Sequence, residues 1–164
     1  MAYADPPYLG CSRYYDHPDA SKWDDQRSHG ELLSTLDREY DGWAFSLSST
    51  SLAAILPYAP PGTRIGSWCK SFAAYKRNVR IAYAWEPVLF KPARDRSTDG
   101  AQVGRDFLVQ PITLSRGLVG AKPDRFCRWV LDLMGYVDGD SVEDLFPGTG
   151  VMGKVVAQGR LTLP

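Results

Sequence analysis

Apolar side chains recur at two different spacings along the chain, and each spacing predicts its own kind of element. The clearest helical pattern follows Lys122 and Pro123. Its apolar residues stand at i, i+3, i+4, i+7 and i+8, namely Phe126, Trp129, Val130, Leu133 and Met134. Proline is favoured in the first turn of a helix and glycine just after the last, so Pro123 and Gly135 mark the two ends of this helix.

Three more helices are predicted by similar patterns. Ser28 and Glu31 have the spacing of a capping box. One face of the helix that follows is apolar, and Gly42 ends it; the face consists of Leu32, Leu33, Leu36 and Tyr40. A serine cluster at residues 48–51 caps a short helix over residues 52–56, and residues 152–158 form the last one.

Shorter alternating or continuous apolar runs predict strands between these helices. They lie at residues 3–4, 43–47, 64–68, 79–90 and 142–146. Strands that alternate with helices indicate an α/β fold with a mainly parallel sheet and helices on both faces. Residues 92–118 have no sustained periodicity, and we expect them to be a mobile surface insertion.

Composition limits the classes of protein that the chain can be. The 164 residues are 44% hydrophobic, enough for one sizeable core, and we expect a single domain over residues 1–164. No apolar run approaches the roughly 20 residues that span a bilayer, and no export signal is visible, so we expect a cytoplasmic protein without membrane contact. The 3 cysteines and 2 histidines lack metal-ligand spacing, and no metal site is expected.

The tetrapeptide Asp5-Pro6-Pro7-Tyr8 is the first candidate for chemistry. Its prolines make a stiff loop whose carbonyl groups and Asp5 carboxylate are hydrogen-bond acceptors, and Tyr8 offers a flat ring beside them. A planar amine stacked on that ring would find acceptors for both of its hydrogens. An ordinary proline turn with a packed tyrosine is the alternative.

The second candidate is the stretch Asp144-Leu145-Phe146-Pro147-Gly148-Thr149-Gly150. A strand, a glycine loop and a helix start together present backbone N–H groups and a positive dipole end to a ligand. In an open parallel sheet such a loop lies at the carboxyl edge of the strands, where ligands bind. Gly148 and Gly150 would also serve a plain, tight strand-to-helix connection.

Basic residues interleaved with aromatic rings are the third candidate. They could contact phosphates while the rings stack on bases, and the set is Arg13, Lys22, Arg27, Lys76 and Arg77. The alternative is a solvated surface, which is the usual role of such charges. The 19 basic and 19 acidic residues cancel overall, so any nucleic acid should be held weakly through local contacts.

In their order and spacing these features resemble a known family. Asp-Pro-Pro-Tyr at residues 5–8 is followed by a strand with Glu-Pro-Val-Leu-Phe at 86–90, a helix led by Lys122-Pro123, and Asp-x-Phe-x-Gly-x-Gly at 144–150. This order resembles the S-adenosylmethionine (SAM)-dependent amino-methyltransferases of DNA over nearly the whole chain, and within them the circularly permuted group, in which the catalytic loop precedes the cofactor loop. In that family the Asp-Pro-Pro-Tyr form is typical of adenine methylation. The resemblance implies a small, phage-type adenine-specific DNA methyltransferase with a Rossmann-like fold.

The resemblance also implies roles for individual residues. Asp5 and the carbonyl of Pro6 would accept hydrogen bonds from the target amine, while Tyr8, after Pro7 in the same catalytic loop, would stack on the base. SAM would bind at the second loop, with Lys122 and Pro123 near its methionine end. The implied cofactor residues of that loop are Asp144, Phe146, Pro147, Gly148, Thr149 and Gly150.

Two departures from the family keep alternatives open. Family members continue into a strand that ends in an acidic residue holding the ribose, whereas residues 159–164 contain no carboxylate, so loose cofactor binding is expected. No segment is long enough for a separate recognition domain, and recognition would fall to residues 9–27, to residues 92–118, or to a homodimer or partner subunit. The alternatives are a degenerate fold that binds nucleic acid or a protein without turnover, and a methyltransferase acting on RNA or a small molecule.

Overall fold

The computed structural model describes residues 1–72, 78–94, 104–112 and 121–159. Within these residues six strands form one sheet: β1 (Ala2–Ala4), β2 (Trp43–Ser46), β3 (Arg64–Cys69), β4 (Trp85–Lys91), β5 (Phe107–Val109) and β6 (Glu143–Asp144). Their order across the sheet is β5, β3, β4, β2, β1, β6. β1 is parallel to both β2 and β6, β3 is parallel to β5, and β4 runs antiparallel to both of its neighbours. The predicted α/β fold with a mainly parallel sheet is therefore confirmed.

Helices cover both faces of the sheet, as predicted. On one face lie α1 (Gln26–Glu39) and α2 (Leu52–Ile55), and on the other lie α3 (Asp124–Met134) and α4 (Val151–Ala157). α1 packs its leucines against the aliphatic residues of β1 and against Phe45, whereas α3 packs Phe126 and Val130 against Tyr3 and Phe90. In the described part of the chain, no helix has both the length and the apolar character needed to cross a membrane.

The ends of several elements differ from the predicted ones. α1 begins three residues earlier than the capping box indicated, because the carboxylate of Asp25, and not Ser28, caps the helix and accepts the backbone N–H of Arg27 at 3.0 Å. An Asp in extended backbone geometry just before the first turn satisfies one of the free N–H groups of the helix. β4 begins at Trp85 rather than at residue 79, since its pairing with β3 ends where Cys69 meets Trp85.

One strand was not predicted at all. β5 lies inside residues 92–118, the segment expected to be a mobile insertion, and its central residue, Leu108, is the buried one of its three. A three-residue strand with a single buried side chain is too short to produce a periodic pattern. Residues 95–103 and 113–118 of the segment lie outside the described residues, so its expected mobility stays a prediction.

Gly42 precedes β2 and gives a test of the packing around the sheet. A Cβ built on Gly42 would lie 2.5 Å from the backbone nitrogen of Ala93, which cannot move freely because it donates to the Met134 carbonyl at 2.9 Å. We expect Gly42→Ala to lower the free energy of unfolding by roughly 1–3 kcal/mol, as overpacking does. Urea denaturation measures the change. Gly104→Ala is the control, because a Cβ there meets no atom of the described part of the chain within 4 Å; an equal loss in both variants would contradict the close approach.

Candidate active site

The two predicted loops leave the sheet side by side. β1 and β6 are neighbours with Tyr3 paired to Asp144, and beyond that pair the N–H of Leu145 donates to the Tyr3 carbonyl at 3.0 Å. Because the two strands run parallel, the loop after Ala4 and the loop after Asp144 emerge at the same edge. The structure thus brings together two motifs that are separated by most of the sequence.

Alternation along the strands decides which side chains meet above this edge. Tyr3 is buried on the α3 face, so Asp5, two residues further on, faces the same side. Glu86 stands opposite Trp68 in the β3–β4 pair and shares the α3 face with it. Lys122 lies just before α3 and reaches back over the sheet edge. Three separate parts of the chain therefore supply one group of charged side chains.

These side chains form a compact group that we call the polar cluster: Asp5, Tyr8, Lys70, Glu86 and Lys122. The ammonium of Lys122 donates to the Tyr8 hydroxyl at 2.7 Å and to Glu86 Oε2 at 3.2 Å, and it lies 3.1 Å from Asp5 Oδ1. The Tyr8 hydroxyl donates to Glu86 Oε2 at 2.8 Å, and the ammonium of Lys70 pairs with Glu86 Oε1.

The polar cluster is largely shielded from water. The exposed fraction of the side chain is 10% for Lys122, 16% for Glu86 and 21% for Asp5. Aromatic rings surround the ammonium of Lys122, which lies 5.2 Å from the Tyr8 centroid and 5.6 and 5.8 Å from those of Phe126 and Trp68. At these distances the ring faces attract the cation and replace part of its lost hydration.

Burial and charge shift the titration of the cluster. Burial alone would raise the pKa of Glu86, but the ammonium groups of Lys122 and Lys70 outweigh it and lower that pKa to about 2. Burial likewise opposes the charge on Lys122, yet the carboxylates of Asp5 and Glu86 raise its pKa above the usual range. Burial and the same two carboxylates raise the pKa of the Tyr8 hydroxyl. Glu86 and Lys122 are therefore charged at neutral pH, and Tyr8 keeps its proton.

Asp5 is the member of the cluster whose hydrogen bonding is incomplete. Its Oδ1 is buried and accepts no hydrogen bond within the described residues, although the Lys122 ammonium lies 3.1 Å away. Burial raises the pKa of Asp5, and the attraction of Lys122 only partly offsets this. A buried acceptor without a donor is costly to the fold, so its presence at a sheet edge marks it as a candidate binding group.

The glycine loop has the backbone geometry that only glycine adopts readily. Gly148 has a φ of 46° and Gly150 a φ of 71°, and the N–H of Gly150 closes the turn onto the Pro147 carbonyl at 2.6 Å. The carboxylate of Asp144 accepts the N–H of Phe146 at 3.3 Å, and the ring of Phe146 packs edge-on against Trp23. Burial raises the pKa of Asp144, and the charge of Asp5 adds to the effect. Side-chain contacts thus anchor the loop at Asp144 and Phe146, whereas its two glycines offer only backbone atoms to a ligand.

The helix after this loop is too short for its dipole to attract a ligand strongly. α4 contains 7 residues, and its N-cap Gly150 contributes no side-chain hydrogen bond. The loop and its open side, rather than the helix start, are what the structure offers to a ligand. Where a Cβ would project from Gly150, no atom of the described residues lies within 4 Å.

The predicted basic residues are at the surface where the structure describes them. Arg13, Lys22 and Arg27 are all exposed and follow the Asp5 loop within two short 3₁₀ helices and the start of α1. The guanidinium of Arg13 stacks on the exposed ring of Tyr14, 4.7 Å from its centroid. Lys76 and Arg77 lie outside the described residues.

Sequence reasoning missed Glu86 and Lys70 as site residues. In the sequence Glu86 stood out only as part of the strand that resembles the family. A carboxylate next to the apolar run from Pro87 to Phe90 is itself a signal. Partial burial raises the pKa of the neighbouring Tyr15, and the charge of Asp5 adds to this. Among the described residues, no group of three or more His, Cys, Asp and Glu side chains is arranged to hold a metal ion.

Comparison with known proteins adds to this geometry. Neither a protein-family model nor a curated protein matches the sequence. Two solved structures resemble the chain over 96% of its length, each with a TM-score of 0.59. One is the M1.HpyAVI–SAM complex, 15% identical with 76% of that chain covered, and the other is M1.HpyAVI, 16% identical with 75% covered. This likeness shows that the chain shares the fold of M1.HpyAVI.

Removal of Lys122 should reveal how much the polar cluster depends on its cation. Lys122→Met leaves Asp5 and Glu86 as neighbouring buried carboxylates, and we expect a loss of about 3–5 kcal/mol in the free energy of unfolding at pH 7. In wild type the folded protein lowers the pKa of Glu86. The charged carboxylate therefore stabilises the fold at any pH above the ordinary pKa of a glutamate, and this stabilisation is lost as the pH falls through about 2. In the variant the carboxylates are destabilising when ionised. The difference in the free energy of unfolding between wild type and Lys122→Met should therefore become smaller as the pH falls.

Urea denaturation of wild type and Lys122→Met, from pH 7 downward, measures this difference in the free energy of unfolding. The control is Lys91→Met, which breaks a more exposed ion pair with Asp37 at 2.7 Å, so a loss of about 1 kcal/mol or less is expected. A gap for Lys122→Met that stays constant with pH, or equals that of the control, would contradict the role of the buried cation.

Proposed function

We propose that this protein transfers a methyl group from SAM to the exocyclic amine of adenine in DNA. The observation that carries the proposal is Asp5 Oδ1, a buried acceptor that is paired with Lys122 by charge but accepts no hydrogen bond from any described residue. It lies beside the open glycine loop at the shared edge of β1 and β6. The fold shared with M1.HpyAVI, one of whose structures is a complex with SAM, supports the same choice.

The glycine loop has features that fit SAM. The positive φ angles of Gly148 and Gly150 and the empty space beside Gly150 would let the backbone approach a ligand closely. Asp144, Phe146, Pro147 and Thr149 would complete the loop, with Lys122 and Pro123 near the methionine end. When bound, SAM would supply an electrophilic methyl group on a sulfonium.

The residues of the Asp5 loop suit an amine as the acceptor of that methyl group. In a purine the lone pair of the exocyclic amine is delocalised into the ring, so it attacks poorly unless the nitrogen becomes pyramidal. Asp5 and the Pro6 carbonyl would accept the two amine hydrogens and favour that shape, and Pro7 keeps the loop stiff. Transfer would form the N–C bond as the C–S bond of SAM breaks, with the electron pair of that bond left on sulfur as a neutral thioether. The amine nitrogen would become positive and then lose one proton to water. Asp5 stabilises that developing charge.

Adenine in DNA is the proposed substrate because of the loop sequence and the rings around it. Tyr8 would stack on a base that has been rotated out of the duplex, which costs a few kcal/mol. Arg13, Lys22 and Arg27 are exposed and would contact phosphates, and Lys76 and Arg77 are proposed to do the same. A few such contacts give weak, salt-dependent binding with little sequence preference. A homodimer or a partner subunit would then add target recognition.

Radiolabelled SAM with DNA, RNA or no polymer tests the proposed reaction. We expect label on adenine in DNA at many degenerate sites. Asp5→Ala should fold and bind SAM while turnover falls roughly 10²–10³-fold, as when one transition-state contact is removed. Label on RNA alone would move the function to RNA, and label without polymer would indicate a small molecule. Absence of label together with absence of SAM binding in calorimetry would reject the enzyme and favour a binding protein.

The glycine loop can be tested separately from the chemistry. Gly150→Ala introduces a Cβ at a φ of 71° on the open side of the loop, and we expect SAM affinity to fall at least tenfold because ligand and side chain compete for the same space. Gly139→Ala is the matched control, since Gly139 also has a positive φ, 97°, and a Cβ there would have no atom within 4 Å among the residues that the structure describes. Backbone strain is then similar in both variants. Calorimetry that gives equal SAM affinities for the two would contradict a cofactor site at Gly150.

A further inference from the structure

Glu86 is engaged on both of its oxygens. Oε1 pairs with the ammonium of Lys70, while Oε2 accepts the Tyr8 hydroxyl at 2.8 Å and the Lys122 ammonium at 3.2 Å. Three donors from three parts of the chain therefore converge on one buried carboxylate. None of these contacts involves Asp5, yet Lys122 stands between the two carboxylates.

The direction of the Lys122 hydrogen bonds is the decisive feature. Its ammonium is nearly as close to Asp5 Oδ1, 3.1 Å, as to Glu86 Oε2, 3.2 Å, but the contact to Glu86 is a hydrogen bond and Asp5 Oδ1 accepts none in the described part of the chain. Two of the three ammonium protons therefore go to Glu86 Oε2 and the Tyr8 hydroxyl, while the ammonium stays paired with Asp5 by charge without the geometry of a hydrogen bond. Without a carboxylate at residue 86, the same ammonium would need only a small rotation to donate to Asp5.

We propose that Glu86 is a positioning residue of this site: its hydrogen bond holds the Lys122 ammonium turned away from Asp5 Oδ1, so that this oxygen keeps its lone pairs for an amine of the substrate. The proposal rests on the proposed function for the identity of that amine. The position of Glu86 fits the role, because Pro87 follows it at the point where the pairing of β4 with β2 has ended. The carboxylate is therefore held at the start of a strand and not on a free loop.

Lys70 completes the arrangement by keeping Glu86 charged and fixed. It contributes a second cation, which lies 5.0 Å from the Trp68 centroid and has 12% of its side chain exposed. Two ammonium groups thus balance two carboxylates in the polar cluster. With Lys122 alone, the two carboxylates would compete for one cation, and Asp5 would receive a larger share of its hydrogen bonds.

The titration of Asp5 in the free protein reports this arrangement without any turnover. The titratable groups that act on Asp5 come from every element around it, and they are Tyr3, Tyr8, Tyr15, Glu86, Lys122, Cys127 and Asp144. Carbon-13 NMR of labelled aspartate carboxyls follows the group directly, with the Asp5 signal assigned by its loss in Asp5→Asn.

Glu86→Gln should lower the pKa of Asp5, because it removes a like charge and turns the Lys122 protons toward Oδ1. Glutamine keeps an oxygen for the Tyr8 hydroxyl, so the change is mainly in charge. The turnover number should fall roughly 10- to 100-fold, the value of one charge-assisted hydrogen bond, while KM for DNA should change little. Asp37→Asn, which breaks the Lys91 ion pair at 2.7 Å elsewhere, should alter neither quantity.

A double-mutant cycle separates positioning from general structural damage. In the Lys122→Met background the competing donor is absent, so Glu86→Gln should cost no further turnover, and this pair of changes also keeps the cluster neutral. An unchanged or raised pKa of Asp5 in Glu86→Gln, or an equal loss of turnover in both backgrounds, would overturn the proposal. If wild type transfers no methyl group, the proposed function fails, and the NMR titration still decides the role of Glu86.

Discussion

The burial of β1 between β2 and β6 is the constraint on which the candidate site depends. β1 has three residues, and all are buried, with Ala2 and Ala4 facing α1 and Tyr3 facing α3. A strand covered on both faces and paired on both sides has one possible register, because a slip by one residue would exchange the tyrosine and the alanines. That register places Tyr3 level with Asp144 and so fixes how the two loops stand to each other.

At the edge where β1 and β6 end, the protein keeps a buried carboxylate, Asp5, that lowers its stability. Burial raises the pKa of Asp5, and its Oδ1 is without a hydrogen-bond donor in the described residues. An apolar residue in its place would be easier to accommodate. Local conflicts of this kind are expected where binding, rather than folding, has determined the residue. The aromatic rings of Phe126 and Trp68 serve both purposes, since they belong to the core and also shield the Lys122 ammonium.

The parts of the fold that the sequence predicted are those with local causes. The period of Phe126, Trp129 and Val130 defined α3, and Gly135 ends that helix in left-handed geometry. The parts that it could not predict depend on partners distant in sequence. The reversed direction of β4 follows from its pairing with β2 and β3, and β5 is a strand only because β3 lies beside it. Glu86 belongs to this second group, since its surroundings come from three other segments.

The separation of the two loops in sequence has a consequence for how the protein folds. The contact between β1 and β6 is reinforced by the Met1 ammonium, which donates to the Ser141 carbonyl at 2.9 Å across 140 positions. Contacts between such distant residues form slowly, because the entropy of closing a long loop must be overcome first. During synthesis β1 leaves the ribosome long before β6 has been made. The apolar residues of β1 therefore lack their pairing with β6 during that time. The two halves of the candidate site therefore meet only after the roughly 140 residues that separate them have been translated.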